Sequence, residues 1–69
     1  MYRTNMFTKI VRWSNEDNCF VVIVPALLGC FADGKTEMQA IENANTVIEE
    51  WLEVAQKTGI TIPVENSSL

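Results

Sequence analysis

Sixty-nine residues are enough for one domain, and a domain of that size hides only about 60% of the surface its unfolded chain exposes. With no histidine, two cysteines and a net charge of −4, the composition speaks against several functions. A zinc site would have to be completed by carboxylates, which structural zinc sites rarely use, and an ordinary nucleophile and base pair lacks its imidazole. The five basic residues, Arg3, Lys9, Arg12, Lys35 and Lys57, stand singly, so no basic stripe follows a phosphate backbone and direct nucleic-acid binding is not expected.

The first element in the chain is a strand over "MFTKIVRWS", residues 6–14. Period-two alternation puts Phe7, Val11 and Trp13 on one face with Lys9, and Met6, Ile10, Thr8 and Arg12 on the other. "SNEDN" follows as a hairpin loop, because Asn and Asp tolerate left-handed backbone and bond to their own neighbours. "CFVVIV", residues 19–24, is β-branched and aromatic without alternation, which reads as a central strand buried on both faces. Pro25 stops it. "PALLG" then turns the chain into a short third strand, "CFAD". One helix covers one face of such a sheet, so the other face of the middle strand must meet another chain or stay partly bare.

Residues 36–59 carry the clearest signals. Thr36 with Gln39 three residues on forms a capping box, and Glu37 lies in the first turn where the helix dipole favours an anion. Met38, Ile41, Ala44, Ile48, Trp51, Leu52 and Ala55 recur at helical spacing as one apolar stripe. Lys57 suits the last turn and Gly59 ends the helix. "ITIP" beyond it is read as a short edge strand. The whole is one unit with an ordered core over about residues 5–64, and the polar ends "MYRT" and "VENSSL" are expected to fray.

An antiparallel register about Leu27 sets Cys30 beside Val24 and Cys19 about five residues away, roughly 17 Å at the usual strand rise. Disulfides need Cα atoms within about 7 Å, so two free thiols are expected. The opening "MYRTNMFTKIVRW" has no sustained apolar run of the kind signal sequences carry, and the longest apolar run, broken by Pro25 and Gly29, is too short to span a bilayer. A cytoplasmic protein with no membrane association is the reading.

Enzyme chemistry finds little support. Cys19 and Cys30 lack the adjacent base that catalytic thiols use. Glu16 and Asp17 belong to a turn, and Asp33, Glu49, Glu50 and Glu53 are spread over a strand end and a helix face, whereas magnesium needs convergent carboxylates. Gly29, Gly34, Lys35 and Thr36 match the literal spacing of a phosphate-binding loop, but the residues between the glycines read as strand, not as an open loop of backbone amides. No catalytic residue, cofactor or metal is therefore assigned. What remains is a binding surface, to which Pro25, Leu27, Leu28, Phe31 and Asp33 are assigned. The two leucines either contact a partner or fold back on the helix near Trp51 or Leu52.

Taken in order, Trp13, the Glu16 and Asp17 turn, Phe20 and Val21, Pro25, Leu27 and Gly29, Gly34 and Thr36, Ala40, Asn43 and Ala44, Trp51 and Leu52, then Gly59, Ile62 and Pro63 resemble the HicB family of antitoxins. Ala26, Leu28 and Lys35 depart from the family's pattern. The resemblance implies an α+β fold, a three-to-four-stranded antiparallel sheet with one helix packed on it and a partial ribonuclease H-like order of β-β-β-α-β. It also implies a non-enzymatic antitoxin that binds and occludes a small basic mRNA-cleaving HicA-type toxin, and assembly as a homodimer or tetramer. The C-terminal DNA-binding segment that many members carry has no counterpart in this sequence, so promoter repression by this chain alone is not expected. A solitary oligomeric module of the same fold, without a toxin, is the alternative.

Overall fold

The computed structural model describes residues 4–63; the expectation for the two chain ends falls, apart from Thr4, outside them. Strand β1 spans Ile10–Ser14, β2 Cys19–Ile23 and β3 Phe31–Gly34, and helix α1 spans Glu37–Thr58. The strands pair antiparallel in the order β1-β2-β3, which makes β2 central. This is a small α+β fold, a three-stranded sheet with one helix on it.

The first strand is shorter than the sequence suggests. Ile10 already pairs with Ile23, and beyond Ile23 the chain turns at Pro25, so β2 does not extend to meet residues 6–9. They follow instead a 3-10 turn over Thr4–Met6, where the Lys9 ammonium donates to the Thr4 carbonyl at 2.8 Å. Phe7 is delivered to the core from this segment, not from the sheet. Residues 15–18 form the hairpin loop, with Asn18 in left-handed backbone at φ 55° and the Asp17 amide donating to Ser14 Oγ at 3.3 Å.

Two clusters make the core. Phe7, Val24, Leu27, Cys30, Ile48 and Leu52 fill one end. At the other, Val22 with its cross-strand neighbours Val11 and Ala32 lies against Ala40 and Ala44. The buried helix stripe is therefore Ala40, Ala44, Ile48, Leu52 and Ala55, while Met38 is 72% exposed and Ile41 36%. The difference has a packing cause. Helix and β3 approach so closely at this end that alanines, not the larger apolar residues, fill the contact.

Both helix caps form. The Gln39 amide donates to Thr36 Oγ1 at 3.0 Å, and Gln39 Oε1 accepts from the Lys35 amide at 2.6 Å, one residue before the position a capping box serves. Gly59, at φ 78°, and Ile60 both donate backbone N–H groups to the Ala55 carbonyl, which is how a glycine-terminated helix satisfies its last carbonyls. Residues 60–63 form no strand, so the expected edge strand is absent from the described residues; Ile62 packs on the core instead.

Candidate partner-binding surfaces

With the helix on one face, pleating sends every second strand residue to the other. Two cross-strand rows lie there. Ile10, Ile23 and Phe31 form one, and Arg12, Val21 and Asp33 the next. Ile10 is 47% exposed, Ile23 37% and Phe31 65%, so the central strand expected to be buried on both faces is covered on one. The second row places one cation and one anion on either side of a valine.

Two successive turns build the loop from β2 to β3. The Leu27 amide donates to the Val24 carbonyl at 3.1 Å and the Cys30 amide to the Leu27 carbonyl at 3.0 Å. Pro25 takes the second position of the first turn, where its fixed φ fits, and Gly29, at φ 75°, takes the third position of the second, where left-handed backbone is required. Leu27 is 1% exposed and Leu28 90%. The two readings left open for these leucines thus divide between them: Leu27 anchors the loop in the core and Leu28 stands at its tip. Trp51 fastens the loop to the helix, its indole Nε1 donating to the Leu28 carbonyl at 3.0 Å.

Beside that bond lies a groove of about 620 Å³, bounded by Leu28, Val47, Trp51, Val54, Ile60 and Pro63 among others. Sequence reasoning missed it. Val47 and Val54 flank the helix stripe, and this offset apolar pair was the available signal. Of the five residues assigned to partner binding, Pro25, Leu28, Phe31 and Asp33 are exposed and adjoin the loop or the open face, while Leu27 is inside.

Among the described residues, no cluster of three or more His, Cys, Asp or Glu is placed to share a metal ion. Cys19 and Cys30 are free and buried, and burial raises both thiols above their ordinary range, with Asp33 and Asp17 adding to the rise at Cys19 and Lys35 opposing it. Cys30 pairs with Val24 as expected, the Val24 amide donating to its carbonyl at 3.1 Å. The phosphate-loop spacing over residues 29–36 is accounted for by three separate structural uses: a turn at Gly29, strand β3 closing at Gly34 against the helix, and the Thr36 cap. No helix among the described residues is long and apolar enough to cross a membrane.

These features define a small α+β domain with unpartnered apolar surfaces on both the sheet and the helix. Residues 7–69 match the family model of the HicB-like antitoxin of bacterial toxin–antitoxin systems, and the chain belongs to that family. It is 38% identical over 58 residues to the UPF0150 protein Ta0767 of Thermoplasma acidophilum, covering 84% of each chain. It is 37% identical over 54 residues to the UPF0150 protein ssl0259 of Synechocystis, covering 78% of this chain and 74% of that one. No solved structure matches the chain.

Proposed function

We propose that this protein is a cytoplasmic antitoxin that binds a small basic mRNA-cleaving toxin of the HicA type and blocks its access to RNA by occlusion, without chemistry of its own. Membership of the antitoxin family carries the reading. An acidic chain of net charge −4 is drawn to a basic partner, and such attraction raises the association rate. Toxin contact is assigned to the tip of the loop between β2 and β3, through Pro25 and Leu28. An exposed leucine on a loop held by Leu27 and Trp51 offers a contact that loses little conformational entropy on binding. The protein is assembled as a homodimer or tetramer, to which Phe31 and Asp33 on the open face are assigned.

The test is recovery of the tagged protein from its own cells, with its bound proteins identified and each assayed for RNA cleavage with and without this chain. A small basic partner whose cleavage stops on addition of the chain supports the reading. Failure to restrain any HicA-like ribonuclease at micromolar concentration removes it. The uncovered apolar row of Ile10, Ile23 and Phe31 favours a second reading, a solitary oligomeric module, if only the protein itself is recovered.

A further inference from the structure

We infer that the open sheet face binds a second copy of this chain about a two-fold axis running parallel to β2, with Arg12 of each copy over Asp33 of the other. This deepens the oligomeric part of the proposed function and rests on it, but not on the toxin. Arg12 lies on β1, Val21 on β2 and Asp33 on β3 in one cross-strand row, and Ile10, Ile23 and Phe31 lie in the neighbouring row of the same face.

Two sheets stacked face to face keep their strands within about 30° of alignment, which leaves two simple two-fold arrangements. An axis across the strands lays β1 on β1 and β3 on β3: through the charged row it sets Arg12 against Arg12 and Asp33 against Asp33, and between the two rows it sets Arg12 over Ile10 and Asp33 over Phe31, leaving both charges unpaired. An axis along β2 lays β1 of each copy on β3 of the other. Arg12 then meets Asp33 twice, Ile10 meets Phe31 twice, and Ile23 meets its own counterpart at the axis, as an isologous interface requires. Charge complementarity selects the second arrangement, since like charges facing each other across an interface, or charges left unpaired in it, oppose association.

Shape agrees with charge. A hollow of about 410 Å³ opens on the β3 side of this face beside Ile23, Phe31 and Leu28, and Ile10 projects on the β1 side with 47% of its surface exposed. The same axis brings Ile10 of each copy over the hollow of the other. The occupant is thus a copy of the chain itself, because both the protruding side chain and its receptacle, and both the cation and its anion, are on one face and related by one rotation.

The test is sedimentation equilibrium of the full chain, alone, over the micromolar to millimolar range, with circular dichroism to establish that each variant is folded. The wild type self-associates. Arg12→Asp puts four carboxylates at the interface and Asp33→Arg four guanidiniums, so each variant alone dissociates at least tenfold more readily. An equimolar mixture of the two recovers association, because each pair is again opposite in charge. Arg12→Glu with Asp33→Lys serves as a second set should either first variant fail to fold. A wild type that stays monomeric, a single variant that associates as well as the wild type, or a mixture that gains nothing overturns the inference. Arg12→Ala strengthening association, by removing a contact of Arg12 with Arg12, would point to the crosswise axis and overturn it equally. No toxin enters the measurement, so its failure and that of the toxin reading are separate results.

Discussion

Gly34 lies so close to the backbone of Ala40 that a Cβ built on it would stand 2.5 Å from the Ala40 nitrogen and 2.9 Å from its Cα. Both are main-chain atoms at the start of the helix, so no side chain can swing away to make room. Gly34 therefore sets the distance between β3 and α1, and the alanine stripe of the helix follows from that distance.

Gly34→Ala accordingly destabilises the fold. Restricting the unfolded chain would favour alanine by about 0.4–1 kcal/mol, but overpacking a rigid contact costs about 1–3 kcal/mol or more, and here the clash wins. A net loss of about 2 kcal/mol lowers the Tm of so small a domain by on the order of 10 °C. Thermal melting followed by circular dichroism checks it; an unchanged or raised Tm would show that strand and helix separate easily.

Leu27 and Leu28, adjacent in sequence, differ in what they do. Leu27 is fully buried, and truncating such a leucine to alanine costs about 2–5 kcal/mol, a large share of the stability of any domain near the low end of about 5–15 kcal/mol. Leu28→Ala removes an exposed side chain and leaves stability within about 0.5 kcal/mol. Under the proposed function, it weakens toxin affinity by tenfold or more, as loss of a central apolar anchor does. Melting curves and calorimetric titration of the two variants separate the roles. Equal affinity of Leu28→Ala and wild type for the toxin would move the contact off the loop tip.

Asn45 Oδ1 is buried without a hydrogen-bond partner among the described residues. A buried polar group left unpaired costs about 1–3 kcal/mol, and asparagine is a poorer helix former than alanine by a few tenths of a kcal/mol. Asn45→Ala should therefore raise the Tm of the isolated chain by several degrees. A lower Tm would mean that the side chain contributes packing that outweighs its unpaired oxygen.

What was legible in the sequence was local. The caps at Thr36 and Gly59, the turn at residues 15–18, the stop at Pro25 and the central place of β2 all depend on residues near one another, whose turn and cap chemistry is specific. What was not legible depended on distance in three dimensions. Ala40 joined the core and Met38 left it because Gly34 draws the helix in. Phe7 entered the core from outside the sheet because β2 ends at Ile23, opposite Ile10. The division between Leu27 and Leu28 follows from a pair of turns whose hydrogen bonds close only when the loop is folded, and the juxtaposition of Arg12 with Asp33 across Val21 needs the register of both hairpins.

The thiol of Cys30 links burial to pH. Burial raises its folded pKa above the ordinary 9.0, so just above pH 9 the native chain keeps a proton that the unfolded chain has released. Stability falls with pH wherever the native state binds more protons. The thiol's contribution is thus complete below its unfolded value and is lost as the pH climbs through its folded one. Cys30→Ala removes this loss along with some packing, so wild type and variant should differ most near neutral pH and converge in alkaline solution. Urea unfolding midpoints of both proteins, measured from neutral pH upward, check the prediction. A gap between them that stays constant across the alkaline range would show that the thiol titrates alike in folded and unfolded chains.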